Sequence, residues 1–119
     1  MGLFDRFKKR SKAPVDFAAV DSMEKAEALA RQGALAPLYL MPLRFNGEKS
    51  ARNRLFVPPV VVELKNRIDD QVEDLLKIGK VNGYSCEPQY RGKSVIPCGL
   101  KVIARSNGTD VFTENIHVW

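Results

Sequence analysis

Cys86 and Cys98 flank the turn-forming run Arg91-Gly92-Lys93. If those residues close a hairpin, Tyr90 faces Ser94, Pro88 faces Ile96 and Cys86 faces Cys98. Directly opposed residues of an antiparallel pair have Cα atoms about 4.5–5.5 Å apart, within reach of a disulfide. The pair is therefore a candidate thiol switch. The bland alternative is two inert thiols, because cysteine packs as a small hydrophobe and cytosolic thiols stay reduced. A one-residue change in loop length would remove the facing arrangement. These cysteines lack CxxC spacing and have only His117 to help them, so no metal site and no cofactor are expected.

Asp69, Asp70, Glu73 and Asp74 crowd one helical stretch. Such carboxylates could hold a divalent cation or act as acid and base. Lys65, Arg67 and Lys77 lie among them, which favours a solvated helix face, with protein docking as its functional use. Arg44, Lys49, Arg52 and Arg54 surround a polar loop against Glu48 alone. With Phe45 beside that loop, and Tyr90 beside Arg91 and Lys93, phosphate binding and base stacking are conceivable. An acidic protein partner competes for the same patch. His117 falls in phase with Thr113 and Asn115 on the outer face of a terminal strand, where a surface role is simplest. No Gly-x-Ser-x-Gly elbow, GxxxxGK[ST] loop or GxGxxG turn occurs, so no catalytic residue is assigned.

The elements that must position these groups follow from periodicity. Asp21, with Glu24 three residues on, reads as a capping box for a helix over 22–32, ended by Gly33. Residues 35–45 read as a strand buried on both faces, interrupted by Pro42. A loop over 46–53 leads to a short strand at 54–57, which Pro58-Pro59 stops. Val61, Leu64, Ile68, Val72, Leu75 and Leu76 mark a helix over 60–78. Three strands follow, at 82–90, 94–105 and 110–119, with Asn107-Gly108 as the last hairpin turn. The order α-β-β-α-β-β-β predicts an α+β domain over 16–119. Its antiparallel sheet has about five strands and carries both helices on one face.

The chain has 119 residues, 45% of them apolar and 28% charged, which fits a single globular domain. Its net charge of +5 suggests nucleic acid until it is divided along the chain. Residues 1–14 carry +4, and residues 15–119 carry +1. Residues 1–15 read as a basic tail, flexible or amphipathic. Leu3, Phe4 and Phe7 form its apolar side, and Lys8, Lys9 and Arg10 supply much of its charge. It could touch an anionic membrane or a partner. No secretory signal is read, so a cytoplasmic location is expected.

The expected function is a non-enzymatic protein-interaction module, an adaptor or an immunity-type inhibitor that plugs a toxin or enzyme. A protein partner is expected through either charged surface, and nucleic acid is disfavoured. One alternative is peripheral membrane or nucleic-acid contact through the tail. Another is a small enzyme using a carboxylate or Tyr39, Tyr84 or Tyr90 in a pocket. Val118 and Trp119 would be unusual to leave bare, so either the last strand pairs with a second copy or the terminus tucks into the core.

Overall fold

The computed structural model describes residues 15–119. The tail residues Leu3, Phe4, Phe7, Lys8, Lys9 and Arg10 lie outside them. Among the described residues, two α-helices, α1 (Met23–Arg31) and α2 (Pro59–Lys77), accompany five strands. These are β1 (Ala36–Tyr39), β2 (Arg54–Val57), β3 (Gly83–Gln89), β4 (Gly99–Ser106) and β5 (Thr109–His117). The domain is α+β, but the strands form two antiparallel sheets, β1-β2 and β3-β4-β5, where the pattern predicted one. No helix among the described residues is long and apolar enough to cross a membrane.

The segment before β4 explains the division. Alternation predicted a strand from residue 94, yet pairing starts at Gly99. Residues 94–98 instead fill the space beside the N-terminal segment. Ser94 Oγ donates to Phe17 O at 2.6 Å and accepts from Ile96 N at 3.1 Å, while Val95 N donates to Val20 O at 2.8 Å. Ile96 is wholly buried with Val20, Ala26, Leu35 and Phe56. A segment held this way cannot also supply a ladder.

The small sheet has helices on opposite sides, not on one face. Phe56 packs in the cluster around Ala26 of α1, whereas its neighbours Leu55 and Val57 pack with Val61 of α2. Alternate side chains of a strand point to opposite faces, so a four-residue strand can serve two cores. α2 also covers the large sheet, with Val72 against Val102 and Ala104 of β4.

Local signals set the ends of these elements. Ser22, not Asp21, caps α1, its Oγ accepting from Lys25 N at 3.2 Å. Asp21 instead pairs with Lys25 Nζ at 2.8 Å, which lowers its pKa. Pro59 opens α2, where a missing N–H costs nothing. Asn107 and Gly108 take φ values of 50° and 85°, the left-handed pair that a tight hairpin requires. The terminus is tucked in: Trp119 Nε1 donates to Ile96 O at 3.0 Å, and the indole packs 6.1 Å from the Phe17 ring.

Candidate functional site

The run from Leu40 to Asn53 leaves β1, turns back and enters β2. Asn53 holds its two ends together. Its side chain accepts from Met41 N at 2.7 Å and donates to Met41 O and Glu48 O, each at 2.8 Å. Residues 43–45 form one turn of 3-10 helix, and Asn46 ends it in the left-handed region at φ 68°. Gly47 N then donates to Pro42 O at 3.0 Å. The predicted strand over 35–45 therefore stops at Tyr39. Pro42 and Asn46 redirect the chain into a buttressed loop.

That loop delivers Arg44 onto α2. Its Nη1 lies 2.6 Å from Asp70 Oδ1 and 3.8 Å from Glu73 Oε1, and its Nη2 donates to Asn66 O at 3.0 Å. Burial works against the charge, but the Asp70 hydrogen bond and nearby carboxylates outweigh it and raise the Arg44 pKa. The guanidinium also sits 5.6 Å from the Phe45 ring centroid. The basic loop and the acidic helix face, expected as separate surfaces, are thus one surface bridged by Arg44.

The structure sorts the other charged candidates. Lys49 is exposed on the loop, and Arg52 forms a solvent-exposed pair with Glu48 at 3.6 Å. Arg54 leaves the patch; it stacks 5.4 Å from the Phe56 ring and lines a cavity with Glu27 and Arg31 of α1. Glu73 also reaches Lys77, at 3.7 Å, and Asp74 faces solvent. Asp69 is no surface group at all. Its Oδ2 lies 2.7 Å from Lys65 Nζ, with both side chains 3% exposed.

Lys65 was expected only as a solvated helix charge, and Tyr84 only as a pocket residue of the small-enzyme alternative; their meeting with Asp69 was not expected. Tyr84 donates its hydroxyl hydrogen to Asp69 Oδ1 at 2.6 Å and accepts from Lys65 Nζ at 3.0 Å. Burial, with the Asp69 hydrogen bond, drives the Tyr84 pKa well above its ordinary value. The signal was present in the helix register. Lys65 and Asp69 fall between Val61, Ile68 and Val72 at the spacing of the buried stripe, and opposite charges four residues apart can pair.

Cavities adjoin Arg44 on either side. One, of about 200 Å³, lies between β1 and α2, with Leu43 at its lip and Lys65 and Asp69 among its lining groups. The other, of about 400 Å³, has Phe45, Leu76 and Tyr84 in its walls. Phe45 and Tyr84 meet edge to face at 5.2 Å.

The cysteines do not meet. Cys86 lies opposite Val102, and Cys98 sits before β4, its N–H donating to Gln89 O at 2.7 Å. Burial pushes the Cys86 thiol up to about 11. At neutral pH it is protonated and a poor nucleophile. His117 is exposed on β5, opposite Gly99.

No protein-family model, curated protein or solved structure matches the chain.

Proposed function

We propose that this domain is a non-enzymatic protein-interaction module and that it docks its partner on the surface centred on Arg44. The observation that carries the reading is the position of Arg44 between two cavities on a buttressed loop. Two pockets beside a guanidinium suit two side chains of a partner, with polar contacts to the segment between them. Exposed Leu43 and the half-buried Phe45 supply apolar area, while Arg52, Asp70 and Asp74 form a polar rim. Lys65, Asp69 and Tyr84 satisfy one another, which fits a rigid frame better than a reacting centre. An adaptor or an inhibitor that plugs another protein is the narrower form of this proposal.

The test is affinity purification with the full chain as bait, followed by mass spectrometry and reconstitution of any stoichiometric partner. Arg44→Glu and Leu43→Asp should each abolish that complex without altering the circular dichroism spectrum. A partner that binds both variants normally would refute the placement of the site.

A further inference from the structure

We propose that the cleft between β1 and α2 takes an extended partner segment as an added strand on β1, with one uncharged apolar side chain seated in the cavity. This rests on the docking role above and names the form of its partner.

The backbone supplies the first argument. Leu40 N donates to Asn53 O at 2.9 Å, continuing the register Leu38↔Leu55 and Ala36↔Val57. Alternate residues of an antiparallel strand point their main-chain groups toward the same neighbour. Ala36, Leu38 and Leu40 therefore address β2, and Pro37 and Tyr39 address the other side. Among the described residues β1 pairs with β2 alone, so that side is an edge to which none of them adds a strand. Pro37 has no N–H to leave bare, as expected of proline on an edge. The edge offers the Pro37 carbonyl, the Tyr39 N–H and the Tyr39 carbonyl, which is the ladder an extended peptide completes.

The cavity supplies the second. Pro37, Leu38 and Tyr39 of this strand line it, facing Val62 and Asn66 of α2. A segment paired with β1 would place every second side chain on the cavity side. The volume of about 200 Å³ and the apolar part of the wall, with Leu38, Leu43 and Val62, suit one branched aliphatic side chain. Charge complementarity excludes a charged one: Lys65 and Asp69 already neutralise each other at 2.7 Å. Arg44, the other charge on the cavity wall, is already held by Asp70 at 2.6 Å, so an added charge would meet only groups whose counter-ions are taken.

The probe is a set of linear peptides selected from a displayed library against the full chain. The selected peptides should carry an aliphatic anchor. N-methylation at the nitrogen that meets the Tyr39 carbonyl should weaken binding about tenfold or more, the loss of a hydrogen bond. The Tyr39 amide hydrogen should exchange at least about tenfold more slowly in the complex. Leu43→Arg should remove binding, and at 45% exposure this position tolerates the change without unfolding. Peptides that need Leu43 yet show a flat N-methyl scan and an unprotected Tyr39 amide would overturn strand addition and leave the docking surface standing. Peptides indifferent to both Leu43→Arg and Arg44→Glu would overturn both. Failure to select any peptide would overturn strand addition, while the partner purification would still judge the docking surface.

Discussion

Lys65 Nζ lies 2.7 Å from Asp69 Oδ2, one turn further along α2, and each side chain is 3% exposed. Taking two charges from water is costly, and their attraction repays it only when the remaining hydrogen-bonding groups are satisfied. Tyr84 does this by bonding both partners. The three side chains tie α2 to β3 beneath the Arg44 surface.

Removing one member of this group should be severe. Asp69→Asn leaves the Lys65 ammonium buried without its counter-ion, which costs about 3–5 kcal/mol. The triple replacement Lys65→Met, Asp69→Leu, Tyr84→Phe removes all the polar groups together and should cost less than Asp69→Asn alone. Urea unfolding followed by circular dichroism measures both. A loss below about 1 kcal/mol for Asp69→Asn, the range of an exposed pair, would contradict a buried one.

Alkaline pH should destabilise the domain. The Cys86 thiol rises from 9.0 to about 11, chiefly through burial, and the Tyr84 hydroxyl rises well above its ordinary 10.0 for the same leading reason. Both groups hold their proton more tightly when folded. Their stabilisation is complete below the unfolded values and is lost as pH rises toward the folded ones. Unfolding free energy should thus fall from about pH 9 upward. Cys86→Ala should remove the part that begins near 9.0, and Tyr84→Phe the part that begins near 10.0. Stability that stays level from about pH 8 to about pH 11 would refute the linkage.

Periodicity made the helices and most strands legible, because one-sided burial leaves a period in the sequence. It erred where a residue served two purposes. The alternation at 94–98 resembles a strand, but Ile96 fills a gap between layers and Ser94 anchors residue 17. Lys65 and Asp69 look like surface charges by type and like core by position, and type was the wrong guide. The clustering of Arg44 with Arg54 in the chain concealed opposite destinations. Arg44 lies on a turn over α2, and Arg54 is a strand residue facing α1. Arg44 and the acidic helix face were each legible, but their contact was not. It depends on how a loop folds back, which short-range pattern does not encode.

The two cysteines should not form an internal disulfide. Cys86 pairs with Val102, four residues beyond Cys98. Four residues of strand span about 13 Å, and a disulfide needs Cα atoms within about 7 Å. Treatment with diamide followed by intact-mass measurement should show no loss of two hydrogens within a monomer. A high yield of internal disulfide in a folded sample would show that β3 and β4 can shift register.

Trp119 should report on the seating of the N-terminal segment. Its ring lies between Phe17, at 6.1 Å, and the Arg91 guanidinium, 5.0 Å from its centroid. It is the only tryptophan, so its fluorescence has a single source. Phe17→Ala should shift the emission to longer wavelength as water reaches the indole, and should cost about 1–3 kcal/mol because Phe17 is only half buried. Unchanged emission would mean that Phe17 does not shield the indole, its place being kept by Ile96 O and Arg91.

Gly47 should tolerate no side chain. A Cβ there would overlap the Met41 carbonyl oxygen, lie 2.7 Å from the carbonyl carbon and 2.9 Å from Pro42 O. These are backbone atoms and cannot rotate aside. Gly47→Ala must therefore push the loop away from Asn53, whose side chain bonds both Met41 N and Met41 O. The expected cost is about 1–3 kcal/mol, that of overpacking. Gly83→Ala is the control, because its Cβ would meet only Arg105 at an ordinary 3.7 Å, and it should be nearly neutral. Since residues 41–46 also wall both cavities beside Arg44, Gly47→Ala should weaken partner binding beyond its effect on stability. Titration well below the melting temperature separates the two effects. Full affinity in a destabilised Gly47→Ala would mean that this loop does not shape the docking surface.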